Sequence, residues 1–169
     1  MNLNRLTNIF LFATLAACSG GGGGGTGAVD GLGGALKIDA CDLLTDYEIA
    51  KAIGVGIEKI ERGSTADGTA WCNYYGNDPA ILQKGITVLA SISPTAKERW
   101  ENYRAAADDP VPVFGIGTEA FTSFKNPVMV TLYENKVFLF VAPLYANPAI
   151  DYTVTKPLAE KALARGLTL

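Results

Sequence analysis

A chain of 169 residues with 49% hydrophobic and 18% charged side chains is not a disordered one, because disordered segments lack the apolar surface that offsets their ordering entropy. The formal net charge of −3 and the lack of any Lys/Arg run argue against a nucleic-acid partner, whose phosphates need a clustered basic footprint. Histidine is absent, which removes the commonest general base near neutral pH and the commonest metal ligand.

In chain order, Asn2 to Asn8 is polar with one cation, Arg5, and Ile9 to Ala17 is apolar but far shorter than the roughly 20 residues of a membrane-spanning helix. This reads as a signal peptide over residues 1–17. Leu15-Ala16-Ala17-Cys18 resembles the bacterial lipobox, and that resemblance implies cleavage before Cys18 and lipidation of its thiol. Two or three acyl chains, each contributing about 0.8 kcal/mol per buried methylene, anchor a protein lastingly. Residues 18–36, the lipidated cysteine with unbroken glycine from Gly20 to Gly25 and more glycine beyond, read as a flexible tether with a reach of roughly 23 Å. A phosphate-cradling glycine loop is the rival reading, but a preceding strand, a following helix and a G-K-S/T ending are all missing.

Of three cysteines, one is committed to lipid. Cys41 and Cys72 are predicted to bridge, given their parity and an oxidising compartment, and closing a loop of about 30 residues stabilises by about 3–4 kcal/mol. A metal pair or a reactive thiol are the competing readings. Neither a histidine nor a third cysteine is available to complete a zinc site, and there is no C-x-x-C motif.

Residues 37–169 read as a single α+β domain. Thr45 with Glu48 forms a capping box ahead of a helix carrying Ile49, Ala50 and Ile53, closed by Gly54. Ile57 to Glu61 and Thr69 to Tyr75 follow as strands around a turn with Gly63, Ser64, Asp67 and Gly68, and Trp71, Asn73 and Tyr75 fall on the face opposite Cys72 and Tyr74. After Asn77-Asp78-Pro79, Ile86, Val88, Ala90 and Ile92 alternate as a half-buried strand. Ser93 is the expected N-cap, with Pro94 at the first position, of a helix whose face is Ala96, Trp100, Tyr103 and Ala107. Asp108, Asp109, Pro110 and Pro112 are expected to end it and form a connector.

Phe114 to Gly117 is expected as a tight corner before a strand over Glu119 to Phe124. After a turn at Asn126-Pro127, Val128 to Tyr133 and Val137 to Ala142 form a hairpin around Glu134-Asn135-Lys136. A loop through Pro143 and Pro148 leads to a last helix over Lys156 to Ala164, with Leu158, Ala159, Ala162 and Leu163 inward and Gly166 at its end. The order α-β-β-β-α-β-β-β-α predicts a mostly antiparallel sheet of about six strands with three helices against one face.

Cys41-Asp42-Leu43-Leu44-Thr45, then Glu48-Ile49-Ala50 and Gly54, with Trp71-Cys72 and with Val113, Gly115, Gly117 and Ala120 at a V-x-G-x-G-x-x-A corner, resemble a bacterial lipoprotein family. It is mostly actinobacterial, with a two-cysteine C-x-L-L-T domain of unknown function. Unlike many of its members, this chain has no second cysteine pair toward its last helix. The resemblance implies a fold and an extracytoplasmic address, and it brings no catalytic residue.

An enzyme built without histidine would need a serine–lysine pair or paired acids. S-x-x-K and G-x-S-x-G are both missing. The pairs Asp39/Asp42, Asp46/Glu48 and Asp108/Asp109 read as helix-terminus charges. No catalytic, cofactor-binding or metal residue is therefore assigned. A binding role rests on aromatics (Trp71, Tyr74, Tyr75, Trp100, Tyr103, Phe138, Phe140, Tyr145, Tyr152), most expected in the core, with some able to line an uncovered sheet face. The expectation is a lipid-anchored, non-catalytic binding or accessory module. Its partners would be the membrane, through its lipid, and an envelope protein or apolar ligand, with no nucleic acid. Ser19 after the cysteine points to the outer membrane, facing the periplasm, or to the outer leaflet of a single membrane.

Overall fold

The computed structural model describes residues 38–77, 84–123, 125, 127–144 and 150–168. The expected leader, Cys18 and the tether lie outside them, as do Asp78, Pro79, Phe124, Asn126, Tyr145 and Pro148. After a 3-10 turn, Ala40–Asp42, the elements are α1 (Asp46–Ile53), β1 (Ile57–Ser64), β2 (Ala70–Gly76), β3 (Gly85–Ile92), α2 (Ala96–Ala106), β4 (Pro110–Pro112), β5 (Glu119–Ser123), β6 (Met129–Tyr133), β7 (Val137–Pro143) and α3 (Tyr152–Gly166). The fold class is α+β.

Local chemistry accounts for several boundaries. The Thr45 hydroxyl accepts from the Glu48 amide while the Glu48 carboxylate accepts from the Thr45 amide, the expected capping box, and Gly54 closes α1 in the left-handed region. Glu134 and Asn135 take positive φ at the tip of the β6–β7 hairpin. Gly117 has φ +61°, and a Cβ there would lie 2.6 Å from the Leu132 carbonyl oxygen, so the corner needs glycine both for its backbone angle and for close approach.

All strands pair antiparallel in one sheet of order β1-β2-β3-β7-β6-β5-β4. β3 and β7 meet in the middle, Ile86 opposite Pro143 through Ile92 opposite Val137, joining two meanders. The sheet has seven strands, against about six expected. The difference is β4, where Val111 pairs with Thr122 in a segment expected to be a connector. Pro110 and Pro112, read as part of that connector, are tolerated on a sheet edge, where a missing N–H faces away from the ladder.

The helices lie on both faces of the sheet, not one as expected. Ile49 and Ile53 of α1, Leu43 and Leu44, and Leu158, Ala159 and Ala162 of α3 are buried with Cys72, Tyr74, Ile86, Val88, Leu139 and Val141. Ala96 and Trp100 of α2 pack instead with Phe121, Val130, Leu132 and Phe138 on the other face. A twofold relation between two αβββ halves, with its axis normal to the sheet, would put α1 and α2 on the same face, so the arrangement is not a simple repeat.

Two helix starts also differ from expectation. α2 begins after Thr95, with Ser93 Oγ hydrogen-bonded to the Thr95 hydroxyl and amide rather than capping the helix, so Pro94 stays outside it. α3 starts a turn before Lys156, where the Asp151 carboxylate accepts from the Thr153 amide at 2.8 Å. Pro157 then lies within the helix. It and Thr153 are exposed, so the carbonyl left without a donor can bond water. Gly166 is the last helical residue, and a Cβ there would meet Leu43 at 3.3 Å, so it is a packing position rather than a left-handed cap.

Candidate functional site

The Cys41–Cys72 disulfide forms as predicted, with an S–S distance of 1.99 Å, and ties the 3-10 turn to β2. Beside it, Tyr74 is 1% exposed, and its hydroxyl donates to the Leu44 carbonyl at 2.6 Å, with the Cys41 carbonyl at 3.2 Å. Burial pushes that phenol up to about 12. Glu48, Arg165 and Lys161 close the same side. Arg165 donates to both Glu48 carboxylate oxygens, at 3.1 and 3.2 Å, and to the Leu43 carbonyl at 2.6 Å, and Lys161 lies 3.6 Å from Glu48. This fork lowers the Glu48 pKa to about 2, with Arg165 the main cause. Disulfide, phenol and ion pair therefore hold α1, α3 and β2 as one rigid backing.

Pleating carries that rigidity to the opposite face of β1–β3. There Trp71, Asn73 and Tyr75 are half-buried while Cys72 and Tyr74 point into the backing. Register arranges three cross-strand rows: Gly63–Trp71–Leu89, Glu61–Asn73–Thr87 and Lys59–Tyr75–Gly85. A Cβ at Gly63 would fall 2.4 Å from the Trp71 ring, so the indole lies down over the glycine. In the middle row the Thr87 hydroxyl donates to Asn73 Oδ1 at 2.7 Å. Tyr75 donates to Glu61 at 2.6 Å, and the Lys59 ammonium lies 5.5 Å from the Tyr75 ring centre. Among the described residues no helix covers Trp71, Asn73 and Tyr75, because α2 sits on the same face but over β5–β7, its cluster reaching as far as Leu89 in the first row. The result is an aromatic platform with fixed polar groups between its rings, suited to binding a surface rather than enclosing a ligand.

The remaining sequence candidates fall elsewhere. Trp100 and Phe138 are core, the Tyr103 ring lies tilted with its centre 5.2 Å from those of both Phe138 and Phe140, and Tyr152 packs against the α1/α3 core. Beside α2 an open groove of about 390 Å³ is lined by Lys97, Trp100, Glu101, Arg104, Pro110 and Glu119, with the Arg104 guanidinium 5.3 Å from the Trp100 ring centre. Its two cations are matched by two acids. Arg99 leaves α2 to bind Asp67 at 2.9 Å and Thr69, tying α2 to the β1–β2 turn. A hydrogen bond from Thr65, chief among several, lowers the Asp67 pKa to about 2.

Each acidic pair has at least one member with a structural partner. Asp39 caps the 3-10 turn and binds Arg62, Glu48 is in the fork, and Asp108 and Asp109 both face Lys125. Among the described residues no group of three His, Cys, Asp or Glu side chains is placed to hold a metal.

Sequence reasoning singled out Trp71, Asn73 and Tyr75 by alternation. It missed Gly63, Glu61, Thr87 and Leu89 as their neighbours, and it read Gly63 as a turn residue. Only strand register brings these together, and register is a long-range property.

No family model matches the sequence, and no curated protein matches it. Among solved structures, a GTP binding regulator from Thermotoga maritima is similar at 5% identity over 75% of this chain and 90% of that one, with a TM-score of 0.41. A likeness of that size carries no argument here.

Proposed function

We propose that the chain is a membrane-anchored bacterial lipoprotein: cleaved before Cys18, acylated there, tethered through residues 18–36, and carrying in residues 37–169 a non-catalytic module that binds a protein of the cell envelope. The observation that carries the binding part is the uncovered Trp71–Asn73–Tyr75 face, braced from behind by the Cys41–Cys72 bridge. Rigid aromatics interleaved with hydrogen-bonding groups are the composition of protein-binding hot spots, because large rings bury area at little entropic cost. A purely apolar ligand is the weaker reading, since Asn73, Thr87 and Glu61 would lose water without gaining partners. The bridge suits an oxidising compartment, in keeping with the leader and lipobox. The address that follows is the outer membrane facing the periplasm, or the outer leaflet where there is a single membrane.

Two measurements test the reading. Mass spectrometry of the protein from its own envelope should find an N-terminus at Cys18 carrying acyl chains, and an unmodified chain beginning at Met1 overturns the anchor. Affinity capture from that envelope with the parent protein and Trp71→Ala should recover a partner that the variant loses about tenfold or more. Equal recovery by both overturns the assigned face.

A further inference from the structure

The two outer strands of the sheet are finished differently. β4 is three residues long and carries Pro110 and Pro112, which remove backbone donors from its edge. β1 runs eight residues without proline, and among the described residues no strand pairs with its outer side. The Thr65 amide donates inward to the Thr69 carbonyl at 2.9 Å, so by the alternation of an antiparallel ladder the amides and carbonyls of Arg62 and Ile60 face outward. Ile60, in the middle of that edge, is 41% exposed.

We infer that this edge is a dimer interface: a second copy of the chain pairs antiparallel with β1 about Ile60, continuing the sheet across a twofold axis. The charge order of the strand carries the inference. Centred on Ile60, antiparallel self-pairing places Lys59 opposite Glu61 of the second copy, Glu58 opposite its Arg62, and Ile60 opposite Ile60. Lys59 and Glu61, which pair at 2.5 Å within one strand, then also meet their opposites across the axis, twice over by symmetry, while Glu58 sits at the strand's bulge and Arg62 keeps its contact with Asp39.

Neighbouring registers lack this property. Side-chain alternation allows only shifts of the centre by whole residues, and a centre at Lys59 sets lysine on lysine while a centre at Glu61 sets glutamate on glutamate. Parallel pairing in register repeats the same clashes. Charges on an edge ordinarily repel a second strand. On β1 their order selects one partner and one alignment. The bulge between Ile57 and Lys59 limits the ladder at both ends, because the twofold axis sets Glu58 of each copy opposite Arg62 of the other, and the Lys59–Glu61 contacts lie inside those limits. The inference is independent of acylation at Cys18 and of the Trp71 face.

The test uses the full-length chain with Ile60→Cys under mild oxidation. A directly hydrogen-bonded antiparallel pair holds its Cα atoms about 5.5 Å apart, within disulfide range. A covalent dimer is expected well above the background of the parent chain and of Lys97→Cys, a control on the exposed side of α2. Adding Lys59→Glu to Ile60→Cys should lower the yield about tenfold, and adding Glu61→Lys as well should restore it, because the swapped pair is again complementary. Thermal melts that coincide with the parent's show that the variants fold. Sedimentation equilibrium of the unsubstituted chain should show a dimer that weakens with salt. A yield no higher than for Lys97→Cys, a charge reversal that changes nothing or is not rescued, cross-linking to a different polypeptide instead of itself, or a parent chain that stays monomeric overturns the inference.

Discussion

β1–β3 and β5–β7 belong to one sheet but are stabilised by different means. β5–β7 lie between α3 on one side and α2 on the other, and their strands are buried on both faces, with Phe121, Val130, Leu132 and Phe138 on one and Met129, Leu139 and Val141 on the other. β1 and β2 are packed chiefly on one face, leaving Trp71, Asn73 and Tyr75 half-buried, and on the other face the α2 cluster reaches as far as Leu89 of β3. In place of a second helix this half has local ties: a disulfide, a buried phenol and an ion pair between helices. A region packed on both sides has no face left for recognition. One held by cross-links on a single side can leave its other side uncovered, and the two halves differ in that way.

The comparison can be broken most severely in the doubly covered half. Phe138→Ala, which empties a site 0% exposed beneath α2, should lower unfolding free energy by about 3–5 kcal/mol in chemical denaturation. A loss below about 1 kcal/mol would mean that α2 does not seal that face.

In the other half, replacing Cys41 and Cys72 together by serine should cost about 3–4 kcal/mol, read as the gap between oxidised parent and variant, with the loop spanning a sequence separation of 31. Tyr74→Phe should cost about 1–3 kcal/mol, because the buried Leu44 carbonyl loses its donor. If Tyr74→Phe is neutral in a denaturant melt, the phenol is not one of the ties.

Acid should expose the ion pair. Glu48 has a folded pKa of about 2 against an ordinary value of 4.5, so its contribution is complete above the ordinary value and is lost as pH falls through about 2. Glu48→Gln should flatten the melting-temperature profile in that window while costing about 1 kcal/mol near neutrality. An unchanged profile would place the acid sensitivity elsewhere, Asp67 being the next group, with its pKa lowered to about 2. The smallest effect is expected for Trp71→Ala, about 1 kcal/mol or less by calorimetry, since its ring is only half-buried. A larger loss would mark Trp71 as part of the packing and not of a recognition face.

Much of this fold was legible beforehand where its cause is local. Thr45 and Glu48 form their box within one turn, the β6–β7 hairpin needs only its own strands and tip, and the alternation of Trp71, Asn73 and Tyr75 against Cys72 and Tyr74 is a pleat. Pro110–Pro112 was illegible as a strand because an edge position is conferred by a neighbour, here Phe121 to Ser123. The side taken by α2 was illegible too, since its apolar stripe of Ala96, Trp100 and Tyr103 says that a face is buried but not which sheet surface receives it. In the candidate site, the aromatic residues of β2 were readable, and the polar groups of β1 and β3 beside them were not.

The sequence by itself determined the element order apart from β4, the pairing of Cys41 with Cys72 and the inward or outward sense of each side chain along β2, because caps, turns, cysteine parity and the two-residue pleat act through neighbours in the chain or through counting. Tertiary structure alone decided that the sheet gains a seventh strand, that α2 covers the face opposite α1 and α3, and that Gly63, Glu61, Thr87 and Leu89 gather around Trp71 and Tyr75. Those outcomes depend on which surfaces meet across long stretches of chain, and burial is settled between surfaces rather than within a segment.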